Sequence, residues 1–135
     1  MKKISVLAVF VFIAVCLLCA CGKSPTVTVS GDAVILTPTS EFGGKTLMDF
    51  MESEKENGNL DFTLSGTMVS SINGKANTAD FSSCWMLYTD DEELSNSEWG
   101  TYEYNGKTFG SAILGADALT VAEGKTYIWV YTDFN

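Results

Sequence analysis

Only one stretch of this sequence has the apolar spacing of an amphipathic α-helix, and this limits the folds open to the chain. In residues 45–56, Leu47, Phe50 and Met51 recur at intervals of three and four, and Asn57-Gly58 ends the pattern. We therefore predict a single helix over residues 45–56, with those three side chains on its buried face.

Short segments rich in β-branched and aromatic residues make up most of the remaining sequence. Residues 26–30 and 33–36 flank Gly31-Asp32 and predict a β-hairpin. Turn signals such as Asn73-Gly74 and Asn105-Gly106 separate several later segments. Further strands are predicted at residues 60–64, 68–72, 84–89, 101–104, 111–114, 119–121 and 126–132. This order predicts an α+β fold: a single small β-grasp-like domain with one helix packed on a mostly antiparallel sheet.

The last predicted strand is apolar on both faces. Because strand side chains alternate, Tyr127, Trp129 and Tyr131 share one face, and Ile128 and Val130 share the other. We expect one face to contact the helix. The other face needs a different cover, which is either residues 90–110 folded over it as a loop, or a ligand or partner, since Trp and Tyr are favoured at such contacts.

The first twenty residues have the pattern of an export signal. Lys2 and Lys3 precede an apolar run at residues 4–18, which is shorter than the roughly twenty residues that span a bilayer core. The motif Leu18-Cys19-Ala20-Cys21 resembles the lipobox of bacterial lipoproteins, in which the last cysteine receives diacylglycerol before cleavage. The alternative is an ordinary secretory signal with incidental cysteines.

The lipobox resemblance implies a division of the chain into three parts. Residues 1–20 are a lipoprotein signal peptide, residues 21–25 are a tether lipidated at Cys21, and residues 26–135 form the domain. Two acyl chains are enough to hold a protein stably on a membrane. We therefore expect an extracytoplasmic domain, lipid-anchored to the bacterial cell membrane.

The composition excludes several classes of function. The chain contains no histidine, so Ser-His-Asp, Cys-His and histidine-based zinc sites cannot form. Without Lys2 and Lys3, six lysines remain against seventeen carboxylates, a net charge of −11. Such a surface repels nucleic acid and anionic headgroups. We predict no catalytic residue, no metal site, no cofactor and no nucleic-acid partner.

Three local features resemble functional motifs but favour structural roles. Residues 43–46 (GGKT) imitate the end of a phosphate-binding loop, yet Thr39 stands where that motif requires glycine. Residues 90–93 (DDEE) lack the ligand spacing of an EF-hand and are interpreted as a solvated acidic loop. Cys84, the one cysteine left after processing, is interpreted as a buried core thiol.

Four segments together resemble the DUF4430 family, whose domain is also the C-terminal β-domain of the cobalamin carriers transcobalamin and intrinsic factor. They are residues 44–50 (GKTLMDF), 66–74 (GTMVSSING), 84–88 (CWMLY) and 119–131 (LTVAEGKTYIWVY). The resemblance covers roughly residues 26–134. It implies a non-catalytic domain that binds a small molecule, cobalamin or another corrinoid, in association with an uptake transporter.

In the carriers this domain covers one side of the corrinoid, with contacts from two strands. The matching positions here are ligand-binding candidates: Thr67, Met68, Val69, Trp85 and Leu87. Two departures weaken the transfer, because this sequence contains no helical barrel to hold the ligand's other side and residues 90–110 exceed the family's short turn. The alternative function is a cell-surface protein-interaction or adhesion module that uses the same aromatic surface.

Overall fold

The structure is a computed structural model that describes residues 25–135. The predicted signal peptide, the predicted lipidation site Cys21 and the predicted tether up to residue 24 lie outside the described residues. One α-helix, α1 (Leu47–Glu56), is present in the described part. Nine strands accompany it: β1 (Val27–Ser30), β2 (Ala33–Leu36), β3 (Phe62–Ser65), β4 (Met68–Ile72), β5 (Lys75–Ala76), β6 (Ser83–Thr89), β7 (Ser95–Tyr104), β8 (Lys107–Ala112) and β9 (Tyr127–Asp133).

The strands form two sheets. The larger sheet has the order β1-β2-β9-β6-β8-β7, and the smaller one has the order β3-β4-β5. All the strand pairs in the described residues are antiparallel. The prediction of an α+β domain with one helix on a mostly antiparallel sheet is confirmed.

Strand β9 lies near the middle of the larger sheet and is covered on both faces. Trp129 pairs with Val34 on one side and Leu87 on the other. Because directly paired residues point to the same face, these three side chains form one row across the sheet. Their neighbours Ile35, Ile128 and Tyr88 form the row on the opposite face. The predicted alternation of β9 is therefore correct.

Helix α1 covers the Trp129 face. Leu47, Phe50 and Met51 are fully buried in the cluster that contains Trp129, as the helical spacing predicted. The helix begins at a capping box, in which the Thr46 hydroxyl accepts from the Asp49 amide at 3.1 Å and the Asp49 carboxylate accepts from the Thr46 amide at 3.1 Å. These bonds satisfy amides that have no partner within the helix.

The opposite face is covered by strands and not by a loop. A loop of residues 90–110 was one of the two covers considered for this face, but most of these residues form the β7–β8 hairpin, which belongs to the sheet itself. Asn105 and Gly106 both have positive φ angles, the conformation that a tight type I′ hairpin turn requires. Phe109 of this hairpin is 3% exposed, and the Tyr102 ring lies 5.8 Å from that of Tyr88.

Several other strand predictions differ from the structure. The strand predicted at residues 101–104 begins earlier, at Ser95, and the one predicted at residues 111–114 begins at Lys107. Residues 119–121 form no strand, because Leu119 and Val121 bond to the chain entering helix α1 at Leu47 and Lys45. The strand predicted at residues 111–114 ends at Ala112, since the Ile113 amide turns away to the Leu94 carbonyl. The two-residue strand β5 was not predicted.

No helix among residues 25–135 is long and apolar enough to cross a membrane. All contacts described here lie within these residues. A piece comprising residues 22–135 therefore retains every one of them.

Replacing Phe50 with alanine should lower the free energy of unfolding by about 3–5 kcal/mol, because the ring is fully buried and contacts Phe42 edge-on at 5.2 Å. Chemical denaturation of residues 22–135 measures this loss. Glu52→Ala, on the exposed side of the same helix, is the control and should change stability by less than about 0.5 kcal/mol. Equal effects of the two substitutions would contradict the assigned helix face.

Candidate binding cavity

The candidate site begins with a gap beside strand β6. Strand β9 pairs with all seven residues of β6, whereas β8 pairs only with Tyr88 and Thr89. The first five residues, 83–87, therefore lack a neighbouring strand on that side. Unpaired backbone groups at a buried sheet edge need other partners.

Asn77 and Thr78, which follow β5, supply those partners. The Trp85 amide donates to Asn77 Oδ1 at 2.9 Å, and the Asn77 side-chain amide donates to the Val69 carbonyl at 3.2 Å. The Thr78 amide donates to the Ser83 carbonyl at 2.9 Å. Asn77 thus joins the smaller sheet to the larger one, and the space that a strand would fill beside β6 stays partly open.

A cavity of about 370 Å³ occupies this gap. Such a volume lies within the range of small-molecule sites, roughly 300–1,000 Å³. Twelve described residues line it: Thr67, Met68, Val69, Asn77, Phe81, Cys84, Trp85, Met86, Gly115, Ala116, Asp117 and Trp129. Four of the five ligand-binding candidates, Thr67, Met68, Val69 and Trp85, are in this set. Leu87 is buried at 7% exposure and does not line the cavity.

The two indole rings of the wall have their polar atoms directed into the protein. Trp85 Nε1 donates to the Lys75 carbonyl at 2.7 Å, and Trp129 Nε1 donates to Met51 Sδ at 3.4 Å. Because these N–H groups are already bonded, the indoles offer a ligand only apolar and aromatic surface. Recognition by this wall depends on shape and on the ring faces.

The facing wall, residues 115–117, is held in place by the start of helix α1. The Met48 amide donates to the Ala116 carbonyl at 2.9 Å, using an amide that has no partner inside the helix. The Gly115 carbonyl accepts from both Ala118 and Leu119, at 3.0 and 2.9 Å. The wall is therefore fixed to the core by backbone hydrogen bonds.

The mouth of the cavity is apolar and exposed. Met68 is 45% exposed and Phe81 is 51% exposed. Leu114, which directly precedes the wall residue Gly115, is 42% exposed. A shallower groove of about 300 Å³ adjoins the cavity and shares Met68, Asn77 and Phe81 with it. We call Met68, Phe81 and Leu114 the apolar rim.

Cys84 lies in the cavity wall and is half-buried, which corrects the expectation of a fully buried core thiol. Burial raises the pKa of this thiol above its ordinary value, so the thiol is protonated at neutral pH. Its Sγ lies 4.0 Å from Met86 Sδ. A protonated thiol is a weak nucleophile.

A second and larger cavity, about 590 Å³, lies at the other end of the sheet and contains none of the predicted ligand-binding residues. It surrounds the Asp90 carboxylate, which is 5% exposed and accepts from Lys107 Nζ at 2.7 Å and from the Thr126 amide at 2.8 Å. The acidic segment at residues 90–93 was interpreted as solvated, and this is wrong for Asp90 and Asp91, both of which are used inside the fold.

No group of three or more His, Cys, Asp or Glu side chains in the described part of the chain is arranged to hold a metal ion. Sequence reasoning also missed part of the cavity's lining. Asn77, Phe81 and residues 115–117 carry no recognisable signal, since they reach the cavity through long-range packing. Besides the four ligand-binding candidates, the sequence analysis had singled out Cys84 as a core thiol and Trp129 as part of an aromatic strand face.

Comparisons of the chain with protein-family models, with curated proteins and with solved structures find no match. The resemblance to the DUF4430 family therefore rests on the four short sequence segments alone. The position of the cavity is a property of this fold and does not depend on that resemblance.

Replacing Asn77 with alanine should lower the free energy of unfolding by about 1–3 kcal/mol, because it removes the partner of the Trp85 amide in a half-buried place. The measurement is urea denaturation of residues 22–135. The control is Asn135→Ala at the exposed chain end, which should be neutral. If both variants unfold at the wild-type midpoint, Asn77 does not join the two sheets.

Alkylation of Cys84 should require a higher pH in the folded protein than in the unfolded chain, because burial raises the thiol pKa and the thiolate is the reacting form. The rate of reaction with iodoacetamide, followed from about pH 7 to pH 10, measures this. The same protein in denaturing urea provides the reference. Coinciding pH profiles in the two conditions would show that the fold leaves the thiol unperturbed.

Proposed function

We propose that this chain is a lipid-anchored extracytoplasmic domain that captures a small molecule, without catalysis, in the cavity beside β6. One observation carries the proposal. Residues 67–69 come from the β3–β4 turn and the start of β4 in the smaller sheet, and Trp85 comes from the larger one, yet they meet at one apolar cavity of ligand size. These four residues had been chosen as ligand-binding candidates from the sequence resemblance alone, before the fold was considered.

A corrinoid is the ligand that the resemblance implies, and the cavity sets limits on how one would bind. A whole corrin macrocycle is too large for about 370 Å³, so it would lie across the apolar rim with one edge in the cavity. The chain has no histidine to coordinate cobalt. Binding would therefore depend on shape and apolar contact, and would be insensitive to pH between about 5.5 and 8.

The position of the cavity relative to the anchor supports a capture role. Pro25 accepts a hydrogen bond from Thr37, at the end of the sheet where strand β6 finishes. The cavity is lined by residues 84–86 of β6, three to five residues from Thr89 at that end, which is about 10–17 Å along the strand. Pro25 is four residue steps from Cys21 along the chain, a reach of at most about 14 Å. The residues that line the cavity would then lie toward the part of β6 that is farther from the anchor.

A second candidate function is a cell-surface protein-interaction or adhesion module. The observation that favours it is the exposure of apolar side chains at the rim and of Trp99, which is 71% exposed on strand β7. Exposed aromatic residues are frequent anchors of protein interfaces. Failure of every small molecule to bind, together with capture of a surface protein through the rim, would favour this module over the binding domain.

Replacing Cys21 with serine should abolish lipidation and release the protein from the membrane fraction, or leave it unprocessed, because the thiol is the acceptor of diacylglycerol in the proposed lipobox. Fractionation with metabolic labelling by a fatty acid measures both effects. Cys19→Ser is the matched control and should be lipidated normally. Continued acylation of the Cys21→Ser protein would refute the anchor.

Cobinamide and cobalamin, titrated into residues 22–135, should quench tryptophan fluorescence, and Trp85→Ala should weaken binding by about 2 kcal/mol or more if the ring is a central anchor. Met68→Ala, at the exposed rim, tests the same site with little risk to the fold. Trp99→Ala is the control, since Trp99 does not line the cavity. Corrinoid affinity that survives both cavity substitutions would place the ligand elsewhere.

A further inference from the structure

We propose that the cavity beside β6 selects an organic cation, an ammonium group carried on an apolar body. The proposal rests on the function proposed above, that this cavity binds a small molecule, and it adds the chemical class. Three independent features of the cavity support it: its charge, its hydrogen-bonding groups and its aromatic rings.

The charge of the cavity lining is negative and belongs to an exposed carboxylate that has no ion-pair partner among the described residues. Asp117 is the only charged residue among the twelve described residues of the lining. It is absent from the ion pairs of the described residues, which are Lys55–Asp61, Lys75–Asp32 and Lys107–Asp90. The domain as a whole carries a large excess of carboxylates. A site of this kind attracts cations and repels anions, including a second copy of this chain.

The hydrogen-bonding groups of the cavity include acceptors for a ligand, and three of its side-chain donors are already bonded within the protein. Both indole N–H groups and the side-chain amide of Asn77 already donate within the protein. Alternation along an antiparallel strand directs the carbonyl of Trp85 to the same side as its amide, into the gap beside β6. With the Asp117 carboxylate, this carbonyl offers acceptors to a ligand that carries N–H donors or a positive charge.

The aromatic rings of the cavity lack the cations that other rings of this chain have. Four lysine ammonium groups lie 4.2–5.9 Å from the centroids of aromatic rings, at Phe42, Phe62, Tyr131 and Phe109. Trp85, Trp129 and Phe81 have no such partner among the described residues. Rings of this type attract an ammonium group within about 6 Å, and tryptophan does so best. The thioethers of Met68 and Met86 add polarisable apolar contact.

The test compares three probes of nearly equal shape, titrated into residues 22–135 by calorimetry and tryptophan fluorescence. They are choline, its neutral carbon analogue 3,3-dimethylbutan-1-ol, and the anion 3,3-dimethylbutyrate. Choline should bind about tenfold more tightly than the neutral analogue, and the anion should not bind measurably. Choline affinity should also fall with added salt.

Two variants locate the charge effect. Asp117→Asn keeps the shape of the side chain and should weaken choline binding about three- to tenfold without changing affinity for the neutral analogue. Glu123→Gln removes an equal charge from an exposed position outside the cavity and should have little effect. Equal binding of choline and the neutral analogue, or an Asp117→Asn variant with wild-type choline affinity, would overturn the inference.

The outcomes also separate this inference from the proposed function. Corrinoid binding that depends on Met68, combined with no binding of choline, would overturn the cation preference and leave the binding domain standing. Absence of binding by corrinoids and by all three probes would overturn both. Choline binding that depends on Asp117, without corrinoid binding, would support the cation preference and replace the corrinoid as ligand.

Discussion

The burial of strand β9 on both faces is the constraint on which the rest of the structure depends. Trp129 and Tyr127 point to one face, where helix α1 covers them, and the Trp129 indole donates to Met51 Sδ at 3.4 Å. Ile128 and Val130 point to the other, where the β7–β8 hairpin supplies Phe109. A strand that is apolar on both sides cannot lie at a solvent-facing edge, so β9 becomes the interior strand between β2 and β6.

The cavity follows from how the chain completes the sheet beside β6. Strand β8 pairs with only the last two residues of β6, and Asn77 takes over part of the remaining edge through one side chain. A side chain fills less space than a strand, so a space remains between the two sheets. Two tryptophans whose polar atoms are bonded inward line that space. The Asn77 side chain therefore satisfies the backbone of β6 and, because it is smaller than a strand, also leaves an apolar cavity.

The sequence predicted the elements whose pattern depends on neighbouring residues. Its predictions failed where contacts with distant residues determine the structure. The helix face and the alternation of β9 were correct because period and burial coincide within a few neighbouring residues. Residues 119–121 look like a strand, but their backbone groups satisfy the start of helix α1. Asp90 looks solvated until Lys107, seventeen residues away, is brought against it. Asn77 is an ordinary loop residue in the sequence, and its role appears only when both sheets are in place.

The central claim is that ligands bind in the cavity beside β6, and the four methionines of residues 22–135 test it most directly. Met68 and Met86 line the cavity, whereas Met48 and Met51 lie in the helix face of the core. The ¹³C-methyl NMR spectrum should be recorded during titration with cobinamide and, separately, with choline. The account predicts larger shifts at the methyl groups of Met68 and Met86, which line the cavity, than at Met48 and Met51, which contact its wall only from the core side. Unchanged resonances of Met68 and Met86 at saturating concentrations of both ligands would contradict it.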